Sequence, residues 1–256
     1  NVSAGTPFFL ATLLDEAERA GRDITSLQRF LCGAAPVPPA LVERAEAAGI
    51  VTWRSYGSTE HPAIATSGPD HPPAKRRNTD GMPVPGVELR LVDEAGHDVP
   101  AGQEGEIVVR GPKQFVGYQN PDADRTAFLD GGWFRTGDLA RLDSDGHLIV
   151  TDRVKDIIIR GGENISAREV EEVLLAHPAV QEVAVAAVAD PVFGELVGAF
   201  VIARDPSAVP TLAELVDHAR ARGLAPHKLP ERLTLVDDFP RTAAGKVRKR
   251  ELKSPS

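Results

Sequence analysis

The chain has 256 residues, of which 42% are hydrophobic and 26% charged, with a formal net charge of −8, the profile of a soluble globular protein of one large or two modest domains. Its single cysteine, Cys32, excludes an internal disulfide and a cysteine-based zinc site. No apolar run is long enough for a transmembrane helix and no basic segment precedes an apolar stretch at the start, so we expect a cytoplasmic protein. Because the chain starts at Asn1 and its only methionine is Met82, we also expect a piece of a longer protein.

The first 79 residues alternate between helical and strand patterns. In order, the predicted elements are a helix from Thr6–Pro7 to Gly21, a strand at 27–31, a helix from Pro38–Pro39 to Gly49, and a strand at 51–55. Such alternation is typical of the last βα units of a parallel sheet.

From residue 80 to 152 the period changes to that of short strands. Residues 87–92 and 106–110 alternate apolar and polar side chains, and Pro/Gly turns separate such runs. Asp143–Gly146 is typical of a hairpin turn. It resembles the start of a calcium loop, but Val154 stands where that loop needs a glutamate. We therefore predict a small antiparallel β subdomain without a calcium site.

After a predicted hinge at 153–156, residues 157–256 mix both periods and form a separate small α+β domain. Its predicted elements are strands at 157–159, 183–188, 197–203 and 232–236, a turn at Gly161–Gly162, and helices opened by capping boxes at Ser166–Glu169 and Thr211–Glu214. The expected fold class is thus α/β and α+β: the end of a large βα sheet and a β subdomain over 1–152, followed by the small mobile domain.

Tyr56–Glu60 directly follows a predicted strand and combines an aromatic ring, a glycine, two hydroxyls and a carboxylate. These groups can stack on a base, bond phosphate oxygens and hold Mg²⁺, although a polar surface turn has the same composition. Gly33–Ala35 lets a flat ligand approach the backbone, or simply packs well. Asp138, between glycines in Gly132–Leu139, can accept ribose hydroxyls or cap a turn.

A basic tip closes the chain, with six Lys/Arg residues over 241–253 against Glu251 alone. A local tip indicates an anionic ligand more than a nucleic acid, which needs a broad basic face; a solvated tail is the alternative. Lys246 follows Gly245 in this tip, and such a loop suits stabilising charge on a carboxylate and a phosphate together. It is not a P-loop, since Val247 replaces the serine or threonine.

The order of the motifs resembles the C-terminal half of an adenylate-forming (AMP-binding) enzyme, the superfamily of acyl-CoA synthetases, luciferases and peptide-synthetase adenylation domains. The segments that carry the resemblance are Gly33–Ala35, Tyr56–Glu60, Gly105–Pro112, Gly132–Leu139, Asp152–Glu171 and Pro240–Lys246.

The resemblance implies a set of site residues. Those implied to bind the nucleotide are Gly33, Ala34, Ala35, Tyr56, Gly57, Ser58, Thr59, Asp138 and Arg153. In that set Tyr56 stacks on adenine, Thr59 contacts phosphate, and Asp138 and Arg153 reach the ribose. The implied catalytic residues are Lys246, Thr59 and Glu60, with Glu60 also the Mg²⁺ ligand; Lys155 is the hinge, and Gly161 and Gly162 line the path of the CoA pantetheine arm.

The resemblance also implies the reaction: ATP, Mg²⁺ and a small carboxylic acid give an acyl-adenylate, and CoA takes the acyl group, as in fatty acid metabolism. Transfer to a carrier protein or other acceptor, and a non-catalytic nucleotide- or partner-binding role, remain alternatives. The family's phosphate loop would precede Asn1, so we expect this piece alone to bind ATP weakly and turn over little. The identity of the acid and the oligomeric state stay open.

Overall fold

The computed structural model describes residues 1–242 and 245–252, which divide into two compact units, 1–150 and 151–256. The predicted hinge at 153–156 contains a short 3₁₀ helix, Val154–Asp156. The division therefore falls close to the predicted boundary, and the hinge itself stays a prediction. No helix among the described residues is long and apolar enough to cross a membrane.

The first unit begins with a five-stranded sheet in the order β1-β2-β3-β4-β5. Its strands are β1 (Val2–Gly5), β2 (Arg29–Gly33), β3 (Val51–Tyr56), β4 (Ala65–Thr66) and β5 (Met82–Pro83). β1, β2 and β3 are parallel, as expected for βα units, whereas β4 and β5 pair antiparallel. Sequence patterning missed β1, which is too short for a period, and placed the start of β2 two residues early.

Three helices accompany this sheet: α1 (Pro7–Ala20), α2 (Pro39–Ala47) and α3 (Pro73–Asn78). α1 starts at Thr6 and Pro7 and ends at Gly21, as predicted, and the φ of +57° at Gly21 makes it a left-handed cap. Leu10 and Leu14 of α1 share a buried cluster with Phe30 of β2 and with Ile50, the residue before β3. This cluster packs α1 against the sheet.

A second, antiparallel sheet follows in the order β10-β9-β7-β6, and β8 also pairs with β9. Its elements are β6 (Glu88–Val92), β7 (Gly105–Arg110), α4 (Pro121–Ala127), β8 (Phe128–Leu129), β9 (Trp133–Leu142) and β10 (Leu148–Arg153). The hairpin turn at 143–146 is confirmed: the N–H of Gly146 donates to the carbonyl of Asp143. The predicted β subdomain is thus present, with the unpredicted α4 inserted before β8.

In the described part of the second unit, a five-stranded sheet is accompanied by two α-helices. Its elements are β11 (Ile158–Arg160), β12 (Glu163–Ile165), α5 (Ala167–Leu175), β13 (Val180–Asp190), β14 (Gly194–Ala203), α6 (Leu212–Ala221) and β15 (Arg232–Leu235), with 3₁₀ turns at Pro226–Lys228 and Lys249–Glu251. The strand order is β12-β11-β14-β13, with β15 parallel to β14. Val170 and Leu215, on the two helices, share a buried cluster with Val185 and Val201 of the sheet.

Of the two predicted capping boxes, one is complete. At α6, Thr211 and Glu214 bond each other's backbone N–H reciprocally. At α5, Ser166 accepts from the N–H of Glu169, but the Glu169 carboxylate binds Nζ of Lys228 at 2.6 Å instead. A tertiary ion pair therefore replaces half of the local motif.

Candidate functional site

The predicted glycine–alanine segment lies at the carboxyl ends of two neighbouring parallel strands. Gly33 ends β2 and lies opposite Ser55 of β3. A Cβ on Gly33 would lie 2.7 Å from the carbonyl oxygen of Ser55, so only glycine fits this close approach. Ala34 follows with φ of +64°, a conformation that is costly for alanine. The backbone is thereby strained at the edge where open α/β sheets bind ligands.

Tyr56 and Asp138, both predicted to bind the nucleotide, are in direct contact. The hydroxyl of Tyr56, the last residue of β3, donates to Oδ2 of Asp138 at 2.7 Å. Asp138 lies in β9 and is 8% exposed. The first sheet therefore meets the second at these two side chains.

Gly137 explains how Asp138 comes to face Tyr56. The pairing of β7 with β9 shifts register between Glu106 and Val108, and Gly137 takes a φ of +70°. Such a bulge turns the following side chain out of its regular alternation. Glu106 stabilises it, since its Oε1 accepts from the N–H of Gly137 at 3.2 Å while Oε2 binds Arg135.

The loop after β3 is closed by its own backbone. The N–H of Ser58 donates to the carbonyl of His61, and Oγ of Ser58 accepts from the N–H of His61, both at 3.2 Å. A Cβ on Gly57 would lie 2.6 Å from the backbone nitrogen of Ala63. Gly57 and Ser58 thus shape the loop, while Thr59 projects an exposed side chain from it.

Glu60, the predicted Mg²⁺ ligand, is held by a segment that the sequence did not point to. The hydroxyl of Tyr118 donates to Oε1 of Glu60 at 3.0 Å, and the N–H of Phe115 donates to the carbonyl of Glu60 at 2.8 Å. Burial, followed by the hydrogen bond to Glu60, raises the pKa of Tyr118, so the phenol stays protonated and donates. The only sequence signal was a tyrosine after Gly117, which a local pattern cannot connect to Glu60.

His61 follows Glu60 but is fully buried. Burial lowers its pKa, which keeps the ring neutral. A Cβ on Gly111 would lie 3.2 Å from Nε2 of His61. His61 therefore packs between the loop and the start of the segment that leads to Tyr118.

Asp143, Asp145 and His147 are close enough to form a candidate metal cluster. The side chain of Lys75 already occupies the carboxylates, with Nζ 2.7 Å from Oδ2 of Asp143 and 2.5 Å from Oδ2 of Asp145. Oδ1 of Asp143 also accepts from the backbone N–H of His147. The ammonium of Lys75 thus places a positive charge beside both carboxylates.

In the second unit, Arg153 and the predicted hinge residue Lys155 both have exposed side chains. The residue before them, Asp152, is 5% exposed and accepts from Oγ of Ser166 at 2.5 Å and from the N–H of Arg168 at 3.2 Å. The Asp152 carboxylate therefore fastens this stretch of chain to the first turn of α5.

Gly161 and Gly162 form the turn between β11 and β12, with φ of +57° and +91°. The N–H of Gly161 donates to the carbonyl of Phe193, and the guanidinium of Arg160 lies 4.2 Å from the centroid of the Phe193 ring. An ion pair with Glu231 also holds Arg160. The turn is thus rigidly braced from β14's side of the sheet.

Lys246 lies in a hairpin whose two sides pair at Arg241 and Val247. Its side chain is exposed, its N–H donates to Oγ1 of Thr242, and Gly245 takes a φ of +82°. Two residues of the motif, Ala243 and Ala244, lie outside the described residues, as does Lys253 of the basic tip.

Two basic residues of the tip form ion pairs at the base of this loop. Arg241 binds Glu182 of β13 at 2.5 Å and donates to the carbonyl of Gly245. Lys249 binds Glu171 of α5 at 2.7 Å. Burial raises the pKa of Glu171 despite this ammonium. These two ion pairs fasten the hairpin of Lys246 at its base.

Two family models match the chain: "AMP-binding enzyme" over residues 1–119 and "AMP-binding enzyme C-terminal domain" over residues 169–246. A medium-chain fatty-acid–CoA ligase of Escherichia coli K12 is 38% identical over 246 residues, 96% of this chain and 44% of that protein. A 2,3-dihydroxybenzoate–AMP ligase of Bacillus subtilis is 37% identical over 255 residues, 98% of this chain and 47% of that protein.

Among solved structures, an o-succinylbenzoate CoA synthetase of Bacillus subtilis in complex with its acyl-adenylate intermediate matches with a TM-score of 0.86 and 33% identity. The match covers 100% of this chain and 51% of that one. The chain spans about half the length of the curated relatives it matches.

Proposed function

Because the chain belongs to the AMP-binding, adenylate-forming enzymes, we propose that it carries the C-terminal part of an active site that activates a carboxylic acid with ATP. The carboxylate attacks the α-phosphorus, the bond to pyrophosphate breaks, and an acyl-adenylate forms. Pyrophosphate leaves with the electron pair of the broken P–O bond. In the second step a thiol, which we take to be that of CoA, displaces AMP from the acyl carbonyl.

The contact between Tyr56 and Asp138 is the observation that carries this proposal. A buried carboxylate beside an aromatic ring suits a nucleoside, because the ring offers a face for the base and the carboxylate accepts from the ribose hydroxyls. Gly33 ends the neighbouring strand β2 and is buried against Ser55, and the exposed Ala34 that follows it offers its backbone to a flat ligand. These four residues are proposed as the AMP-binding surface.

Glu60 fits the expected Mg²⁺ as a hard oxygen ligand on a loop beside the hydroxyl of Thr59. When bound, Mg²⁺ would neutralise phosphate charge during the displacement. Thr59 would donate to a phosphate oxygen, and Tyr118 would hold the Glu60 carboxylate in one orientation.

We propose that the ammonium of Lys246 contacts both the substrate carboxylate and the phosphate that it attacks. Two negative groups must approach in the first step, and an ammonium placed between them lowers the free energy of the transition state. The exposed side chain on a fastened hairpin suits that role. Arg153 is proposed to contact the ribose.

Between the two steps we propose a rotation about Lys155 that exchanges Lys246 for the Gly161–Gly162 turn. Hinge motions of this kind remodel sites between half-reactions. The turn has no side chain to obstruct the thin pantetheine arm.

The first experiment is ATP–pyrophosphate exchange by the complete natural polypeptide that carries this sequence, with aliphatic, aromatic and dicarboxylic acids. Exchange that requires one acid class supports the proposal and identifies the substrate. Absence of exchange with every acid, in protein that is folded by circular dichroism, would refute it. The 256-residue chain measured in parallel is expected to exchange little.

The acceptor is a separate question, because the relatives include both a CoA ligase and an enzyme named for its AMP-ligase activity. AMP release that accelerates with CoA and yields an acyl-CoA supports the thiol proposed here. Release that CoA leaves unchanged, but that a phosphopantetheinylated carrier protein accelerates, would favour the carrier alternative.

A further inference from the structure

The segment from Gly111 to Tyr118 crosses the loop after β3 at three points. Gly111 packs against the ring of His61, the N–H of Phe115 donates to the carbonyl of Glu60, and the hydroxyl of Tyr118 donates to Oε1 of Glu60. Backbone and side chain of Glu60 are therefore both held by one segment.

This segment is itself rigidly supported. The ring of Phe115 lies 5.1 Å from that of Phe134 and 5.5 Å from that of Phe128, in the core of the second sheet. The N–H of Tyr118 donates to Oδ1 of Asp124 on α4 at 2.9 Å. Gly117 passes so close to α4 that a Cβ there would lie 2.7 Å from Oδ2 of Asp124. The phenol therefore reaches Glu60 from a fixed backbone.

We propose that Tyr118 is a positioning residue for Glu60: its hydroxyl restricts the carboxylate to one orientation for binding the Mg²⁺ that accompanies ATP. The inference rests on the proposed function. A glutamate side chain on a loop otherwise loses rotamer freedom when it engages a ligand, and a hydrogen bond formed in advance reduces that loss. The phenol achieves this without adding charge beside the metal.

The test compares Tyr118→Phe with wild type in the complete natural polypeptide. Phenylalanine keeps the edge-to-face contact with Phe115, whose centroid is 4.8 Å away, and removes only the hydroxyl. Loss of a hydrogen-bonded partner of a metal ligand typically weakens metal affinity by about 10-fold or more. We expect the Mg²⁺ concentration for half-maximal exchange, at saturating ATP, to rise by about 10-fold, and Mn²⁺ binding to the ATP-bound protein, followed by electron paramagnetic resonance, to weaken in parallel.

The chain contains one other tyrosine, Tyr56, whose hydroxyl also donates to a carboxylate. Tyr56→Phe is therefore the matched control: it is expected to affect ATP binding while leaving the Mg²⁺ dependence as in wild type. In a Glu60→Gln background, Tyr118→Phe should cause no further change in the Mg²⁺ dependence, because the residue acts through Glu60.

Two results would overturn the inference. The first is a Tyr118→Phe variant whose Mg²⁺ dependence and Mn²⁺ affinity equal those of wild type. The second is a shift in Mg²⁺ dependence that is as large in the Glu60→Gln background as in wild type, which would indicate a general structural role. If wild type itself binds no Mn²⁺ with ATP and exchanges with no acid, the proposed function fails and the inference with it. If wild type is active but Tyr118→Phe has the same Mg²⁺ dependence as wild type, the inference fails and the proposed function stands.

Discussion

The hydroxyl of Tyr56 lies 2.7 Å from Oδ2 of Asp138, although 82 positions separate the two residues in sequence. Tyr56 is the last residue of β3, and Asp138 follows the bulge at Gly137 in β9. This hydrogen bond joins two separate sheets of the first unit, and the proposed nucleotide site rests on it.

Tyr56→Phe is expected to raise the KM for ATP by about 10-fold, since a hydrogen bond to a charged group is worth about 1.5–3 kcal/mol. Asp138→Asn should raise it further, because the ribose hydroxyls lose a charged acceptor. Initial rates of exchange at varied ATP measure both. An ATP dependence in Asp138→Asn identical to that of wild type would contradict the assignment.

Lys246→Ala is expected to reduce acyl-adenylate formation by at least about 100-fold, the range for removal of one preorganised group that stabilises transition-state charge. Thioester formation from supplied acyl-adenylate should continue, because the proposed rotation brings the Gly161–Gly162 turn rather than Lys246 to that step. Separate assays of the two half-reactions decide this. Equal loss of both would contradict the role.

Glu182→Gln should slow adenylation several-fold through Lys246, because it weakens the ion pair that fastens Arg241 at the base of the hairpin. The KM for ATP is expected to stay near the wild-type value. Asp217→Asn, which disrupts the exposed pair with Arg220 on α6 in the same unit, is the matched control and should leave the rate unchanged. A rate equal to wild type in Glu182→Gln would show that the hairpin needs no such fastening.

Arg54→Met is expected to destabilise the first unit by about 3–5 kcal/mol, because it leaves the Asp80 carboxylate buried without its guanidinium. Arg54 is 3% exposed and binds Oδ1 of Asp80 through both Nε and Nη2. Urea unfolding measures the change. The double variant Arg54→Met with Asp80→Asn should lose less free energy of unfolding than Arg54→Met alone. A larger loss in the double variant would contradict the explanation. Arg125→Met, at the exposed pair with Asp122, serves as the control with little expected change.

Lys75→Met is expected to alter the pH dependence of unfolding. Burial by itself raises the pKa of Asp143, but hydrogen bonds from Lys75 and from the backbone N–H groups of His147 and Asp145 outweigh it and lower the pKa to about 2. This carboxylate therefore adds stability above its unfolded pKa, near 4, which is lost as pH falls toward 2. Asp143 and Asp145 also raise the pKa of Lys75. The stability that Lys75 contributes is therefore fully present below about pH 10.4 and is lost at higher pH.

The difference in unfolding midpoint between wild type and Lys75→Met should accordingly be largest between about pH 5 and pH 9 and shrink toward both extremes. Chemical denaturation at several pH values measures it. A difference in midpoint that stays constant from pH 2 to pH 7 would show that the Asp143–Lys75 pair does not cause the expected loss of stability at low pH.

Local chemistry allowed much of the fold to be predicted. Thr6–Pro7 and Gly21 bound α1, and the turn at 143–146 follows from residues that tolerate left-handed conformations. Where tertiary contacts compete, the local pattern was incomplete: Glu169 leaves its capping box for Lys228, and β1 exists because β2 pairs with it.

The sequence by itself determined the helix caps, the turns, the change from βα to antiparallel patterning, and the order of motifs that indicates the family. Only the tertiary structure decided which side chains meet: Tyr118 with Glu60, Tyr56 with Asp138, and Arg54 with Asp80, at separations of 58, 82 and 26 residues. The physical reason is that caps and turns depend on neighbours within a few residues. Contacts over such separations depend instead on strand register, on the bulge at Gly137 and on the packing of Phe115 in the core, which no local period encodes.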